Sequence, residues 1–289
     1  MIINSQQLED AIQAELSTTK ITDMHTHLFS ADFNQMLLFG IDEILTYHYL
    51  VAEFFRYSKI SYGDFFRLSK TEQADLIWQT LFLDRSPVSE AQRGVLTILN
   101  RLGLDIQSRS LKEYREYYCS KTMEQQIDTV FELSGVAEVV MTNDPFDPQE
   151  GEIWKAGLGK QDPRFKAALR IDSLLLDYVN IAKRLQAEGY KVDMNLSANS
   201  SSEVRRFLTD WAKRMDSLYM AVSLPPDFTV SDNSLTARLI KECVLPVCHE
   251  LNIALALMIG VKKLVNKELG LAGDSVGKGS YCCGNQGAY

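Results

Sequence analysis

Residues 20 to 28 read Lys-Ile-Thr-Asp-Met-His-Thr-His-Leu, and the two histidines define the chemistry open to the chain. Residues two apart on a strand point to the same side. With Ile21 to His25 as a short buried strand, Asp23, His25 and His27 share one face, and Thr22, Met24 and Thr26 the other. Two imidazoles side by side at the C-terminal end of a strand can present two nitrogens to one divalent ion. That is half of a tetrahedral shell, so other parts of the chain must complete it. A histidine pair can equally be hydrogen-bonded in a core or lie on a surface, and a two-residue motif does not decide between these. Scarcity favours the metal reading. The chain has four His residues, and a third, His48, lies close by in an aromatic stretch.

That stretch runs Leu45-Thr-Tyr-His-Tyr-Leu-Val-Ala-Glu-Phe-Phe-Arg56. Tyr47, Leu50 and Phe54 read as packing residues. His48 and Tyr49 carry polar tips that need partners, and they could reach over an active-site mouth. Arg170, in Leu-Arg-Ile-Asp, is placed at a strand end. Its guanidinium matches a carboxylate bidentately, and the alternative is an ion pair with Asp144 or Asp172. Other strand ends offer Asn143, Ser223 and Met258. His249 reads as structural, and the adjacent Cys282 and Cys283 make a weak zinc signal without a second cysteine pair.

These residues need a scaffold, and the chain supplies one with a regular beat. Residues 5 to 17 have helical spacing, with Ser5 as the expected N-cap. From Asp42 to about Thr129 the pattern is almost wholly helical, interrupted at Pro87 and at Arg101–Gly103. This predicts a helical insertion, residues 30–130, after the first strand. Strands follow at 136–142, 165–171, 218–224 and 253–260, the last read as buried. Helices are expected at 173–188, 202–215 and 234–250, the last kinked or restarted at Pro246. Continuous apolar strands alternating with helices mark a parallel sheet with helices outside it. In such a sheet the active site gathers at the C-terminal strand ends. A closed (β/α)₈ barrel needs eight strands and five are legible. The stretch after Gly260 is too brief to assign, 269–277 reads as loop, and 279–289 is an atypical tail. The expectation is a single domain, a partial TIM barrel.

The formal charge is −8, which argues against a nucleic-acid binder. No apolar run is long enough to cross a bilayer, no secretion signal is visible, and five Cys residues form no disulfide framework, so a cytoplasmic location is expected. The expected partner is a small molecule, with no nucleic acid and no membrane. Composition leaves self-association as a homo-oligomer open.

Four stretches in fixed order resemble a known family: Thr-Asp-Met-His-Thr-His-Leu-Phe-Ser, Leu-Thr-Tyr-His-Tyr-Leu-Val-Ala-Glu, Ala-Leu-Arg-Ile-Asp and Ile-Gly-Val-Lys-Lys. They look like uronate (glucuronate) isomerase, of the amidohydrolase superfamily, from about residue 5 to Lys278. The resemblance implies a (β/α)₈ TIM barrel of the metal-dependent hydrolase type with a helical insertion after strand one. It also implies interconversion of hexuronates and ketohexuronates and a bound divalent metal, zinc or else manganese. Carried over, it makes His25 and His27 metal ligands and has His48, Tyr49 and Arg170 hold the substrate, Arg170 on its carboxylate. His48 and Tyr49 are also the catalytic candidates. Two departures stand out. Met258 occupies the place of a fifth-strand His, and a thioether is a poor ligand for a hard or borderline ion. The family's last-strand Ser-Asp-Ala-Arg-like stretch does not occur before Tyr289, so the third metal ligand is unassigned. The barrel therefore reads as truncated after about five strands. The chain alone is then expected to associate through its open edges and to lack isomerase activity. A metal-dependent hydrolase and a non-catalytic fragment are the competing readings.

Overall fold

The computed structural model describes residues 4–276, so Cys282, Cys283 and the tail lie outside the described residues. Helix α1 (Ser5–Thr18) starts one residue earlier than its predicted cap implies. Asn4 is extended and its side chain accepts the Gln7 N–H, which makes Asn4 the N-cap. Strand β1 (Ile21–Thr26) follows.

Seven α-helices then precede the next strand among the described residues. They are α2 (Ile41–Leu45), α3 (His48–Phe54), α4 (Tyr62–Arg67), α5 (Lys70–Trp78), α6 (Glu90–Arg101), α7 (Lys112–Cys119) and α8 (Met123–Ser134). Ser69 and Glu72, Ser89 and Gln92, and Thr122 and Gln125 form reciprocal capping boxes that fix three of the helix starts. Ile41, Leu45, Phe54, Phe65, Trp78 and Leu99 belong to a core of their own. Arg115 of α7 ties α2 to α5, with Nε 2.9 Å from Asp42 and Nη2 2.7 Å from Asp75.

Strands β2 (Val136–Asn143), β3 (Phe165–Arg170), β4 (Tyr219–Leu224) and β5 (Ala254–Ile259) join β1 in one sheet. The order is sequential and every pair is parallel. This is a half-barrel built from βα units. Between the strands run α9 (Pro148–Lys155), α10 (Asp172–Leu176), α11 (Tyr178–Ala187), α12 (Ala198–Met215), α13 (Leu235–Leu239) and α14 (Leu245–Leu251). A π-type turn at Ile240–Val244 separates the last two helices. Pro246 has no N–H to donate, so the ladder widens just before it.

The two faces of the sheet differ. Val139 and Met141, Ala167 and Leu169, and Met220, Val222 and Leu224 enter the large outer core with Ile181, Leu185, Phe207 and Trp211 of the helices. The alternate residues Val140, Ala168, Tyr219 and Ala221 form a small cluster on the concave face, with Ala256 and Met258 against it. The Tyr219 hydroxyl donates to the Met24 carbonyl, spanning from β4 to β1. Sequence reading treated the first and fifth strands as buried, and the structure corrects this. Ile21 and Met24 are 48% and 52% exposed and Leu257 is 38% exposed, because each edge strand pairs on one side only among the described residues.

After β5 the chain reverses. Strand β6 (Val261–Lys262) pairs antiparallel with β7 (Ser275–Val276), and a 3₁₀ segment at Lys267–Gly273 lies between them. A Cβ at Gly273 would stand 1.9 Å from the Asn266 carbonyl oxygen, so only glycine fits there. The Asn266 amide donates to the Tyr62 hydroxyl at 3.2 Å and fastens this segment to α4.

Candidate functional site

The C-terminal ends of β1 to β4 bring several of the expected residues together. Along β1 the register slips. Asp23 aligns with Val139 and Thr26 with Met141, three residues against two, so strict alternation is broken just before the histidines. The Asp23 carboxylate accepts the His25 N–H at 3.1 Å. The rings of His25 and His27 lie edge to face with centroids 5.6 Å apart. His27 keeps solvent exposure, yet partial desolvation of its ring lowers its pKa from the usual histidine value, with the charges of His25, Arg170 and His48 acting in the same direction. Its imidazole is therefore neutral at physiological pH, the form that ligates metals.

The start of α3 stands beside this pair, and Tyr47 brings its ring to 6.5 Å from that of His27. Sequence reading set Tyr47 aside as packing. The His48 ring lies tilted against both Tyr47 and Tyr49, with centroids 4.2 Å from each. Burial lowers the His48 pKa, and the charge of Asp274 opposes the shift. Tyr49 is 61% exposed. His48 and Tyr47 line a cavity of about 600 Å³ together with Phe66, Lys70, Lys267 and Leu269.

Arg170 alternates with Ala168 on β3 and so belongs to the concave face. Both alternatives raised for it in sequence bear on the structure. Its Nε and Nη2 hold Asp172 bidentately at 3.2 and 3.0 Å. No hydrogen bond among the described residues uses its Nη1, which leaves the second edge of the fork open. Burial of Arg170 works against its charge, but the Asp172 hydrogen bonds prevail and its pKa is raised. Burial likewise opposes ionisation of Asp172, and the Arg170 hydrogen bonds and charge outweigh it. Asp172 also takes the Ser223 N–H at 3.3 Å, and Lys263 Nζ lies 3.5 Å from its Oδ1.

Asp144, at the end of β2, accepts from Ser173 Oγ at 3.0 Å, and burial raises its pKa. Asn143 does not reach the mouth. It shares the outer parity of Met141, and its amide donates to the buried Glu150 of α9 at 2.7 Å. Glu150 also accepts the Asp144 N–H at 3.1 Å, and burial pushes its pKa up to about 7. The sequence pattern does not single out Glu150 or Lys263 as site residues. Asp147 followed by Pro148 was a usable helix-start signal for α9, since Asp147 caps it through the Gln149 and Glu150 N–H groups. His249 is exposed on α14. Among the described residues no three His, Cys, Asp or Glu side chains gather to hold a metal, so the histidine pair stands as a two-ligand start.

No protein-family model and no curated protein sequence matches the chain. Solved structures do. A uronate isomerase from Bacillus halodurans is 52% identical with a TM-score of 0.94, over 98% of this chain and 67% of that one. A glucuronate isomerase from Caulobacter crescentus gives 15% identity and a TM-score of 0.66, over 94% of this chain and 65% of that one. A uronate isomerase from Thermotoga maritima gives 14% and 0.54, over 96% and 70%. The last two bear on the fold alone.

Proposed function

The chain belongs to the uronate isomerase family, and from that premise we propose that it binds a hexuronate at the ends of β1 to β4. The reaction is interconversion of D-glucuronate and D-fructuronate, or of galacturonate and tagaturonate, through a cis-enediol, in cytoplasmic hexuronate catabolism. The supporting observation is Arg170, a guanidinium on the concave face close to His27 with one edge of its fork open.

In this reading the Nη1 edge of Arg170 takes the substrate carboxylate while Asp172 holds the other edge rigid, so the sugar is oriented before any proton moves. Aldose–ketose interconversion then needs a positioned base and a donor for the developing oxyanion. His48, kept neutral by burial, suits the base, and the exposed Tyr49 hydroxyl suits the donor. Residues 30–130 act as the insertion that brings both to the mouth. His25 and His27 offer two nitrogens to zinc, or to manganese, with further ligands outside this pair. The donor set fits a borderline divalent ion, and Met258 adds nothing to it. Bound there, such an ion would supply charge stabilisation at the substrate oxygens.

Conversion is the test. The chain is supplied with zinc or manganese and assayed with D-glucuronate, alone and joined to the portion of the Bacillus halodurans protein that the match leaves uncovered. D-fructuronate in either format is the expected result. No conversion of glucuronate or galacturonate in both formats contradicts the reading.

A further inference from the structure

We propose that Lys263 is a second cation for the substrate carboxylate, resting against Asp172 in the free protein and turning to the anion when it binds. This deepens the reading of the strand-end site and rests on it.

The charges at the strand ends are unevenly committed. Arg170 spends Nε and Nη2 on Asp172 and also lies in the field of Asp144. Much of its charge is compensated before a ligand arrives. Asp172 is nearly closed to solvent, 8% of its side chain being exposed, and its Oδ1 already accepts from Arg170 Nη2 and from the Ser223 N–H. Lys263 therefore meets an oxygen whose acceptor sites are in use. Its Nζ stands at 3.5 Å, with no hydrogen bond among the described residues, and 49% of its side chain is exposed. It is the least committed cation of the cluster, and the cheapest to redirect toward an incoming carboxylate.

The backbone around Lys263 shows the opposite character. Gly260 takes a φ of 130°, open to glycine, and its N–H donates to Leu224 O at 3.0 Å at the end of β4. Lys262 is paired in β6, so the next side chain projects to the other face. Leu264 is left-handed at φ 52°, a conformation L side chains rarely adopt, and Asp274 Oδ1 holds its N–H at 2.7 Å. The tie from Asn266 to Tyr62 anchors the rest of the segment. A fixed, strained turn that presents one loosely paired cation beside Asp172 matches the demands of a clamp. The Ile-Gly-Val-Lys-Lys motif thus gains a physical role at its last residue.

Calorimetric titration of D-glucuronate into the parent, Lys263→Met, Lys263→Arg and Arg170→Met, at low and moderate salt, tests this. Lys263→Met is expected to bind about three- to tenfold more weakly, with Lys263→Arg within about twofold of the parent. The gap between Lys263→Met and the parent narrows as salt rises, and the melting temperatures of both lysine variants match the parent. If Lys263→Met binds like the parent while Arg170→Met fails, the proposal falls and the Arg170 reading stands. A loss that Lys263→Arg does not rescue, that ignores salt, or that follows a lowered melting temperature assigns the lysine to turn structure and overturns the proposal. A parent that binds no glucuronate removes both readings together.

Discussion

The two halves of the strand-end site are built differently. At the ends of β2 to β4, carboxylates and guanidinium are locked by hydrogen bonds: Arg170 to Asp172, Ser173 to Asp144, Asn143 to Glu150. At the end of β1 the imidazoles of His25 and His27 are placed by ring contacts with each other and with Tyr47. No hydrogen bond reaches either imidazole among the described residues. The cause lies in the sheet. Strands β2, β3 and β4 are paired on both sides, whereas β1 has one neighbour among the described residues and a register slip beside its histidines. Under the proposed reading the difference separates the tasks: the rigid half would recognise the carboxylate, and the ring-packed half would hold the groups that do chemistry.

Four variants or conditions probe this contrast. Arg170→Met keeps the stem and removes the fork, and it should cost about 2–5 kcal/mol in glucuronate binding or turnover. Kinetics or calorimetry reads this. If glucuronate turnover stays within about twofold of the parent, the clamp lies elsewhere. Glu150 carries the next effect. Its folded pKa, about 7, is raised above the ordinary 4.5, so the folded protein binds this proton more tightly than the unfolded chain. The stability it contributes is full below about pH 4.5 and is lost as pH rises through 7. The loss is up to about 3 kcal/mol. Urea midpoints of the parent should follow that trend between these pH values, and those of Glu150→Gln should be flatter.

Asp172→Asn leaves Arg170 without its anion. Since 28% of the Arg170 side chain is exposed, the destabilisation should be about 2 kcal/mol, short of a fully buried pair. An unchanged melting temperature would show that the pair does not organise the strand ends. His25→Ala sits at the other extreme. The side chain is exposed, so stability should move by less than about 0.5 kcal/mol, while zinc or manganese retained through desalting should fall. Equal metal content in variant and parent would remove the ligand assignment.

The parts legible in sequence are those with a long period. Apolar runs at 136–142, 165–171, 218–224 and 253–260 located four strands to within about a residue. Arg170 lies at the end of one of them, β3, as the pattern predicts. What escaped was decided by partners rather than pattern. Exposure of β1 and β5 depends on what pairs with their outer edges, which no local alternation encodes. The aim of Lys263 depends on a reversal at Gly260 and on two-residue strands, too short to show a period. Asn143 was expected at the mouth, but its parity with Met141 turned it toward Glu150, a residue on a helix that the sequence reading did not place. Tyr47 reads as packing and Tyr49 as a group over the mouth, yet the helix start puts the Tyr47 ring against His27.

Paired titration of D-glucuronate and D-glucose into the parent tests whether the end of β3 reads a carboxylate. The two sugars share most of their hydroxyl pattern and differ in the carboxylate. Glucuronate is predicted to bind at least about tenfold more tightly than glucose, an advantage that Arg170→Met should abolish. Equal affinities for the two sugars, or a glucuronate preference that survives in Arg170→Met, would contradict it.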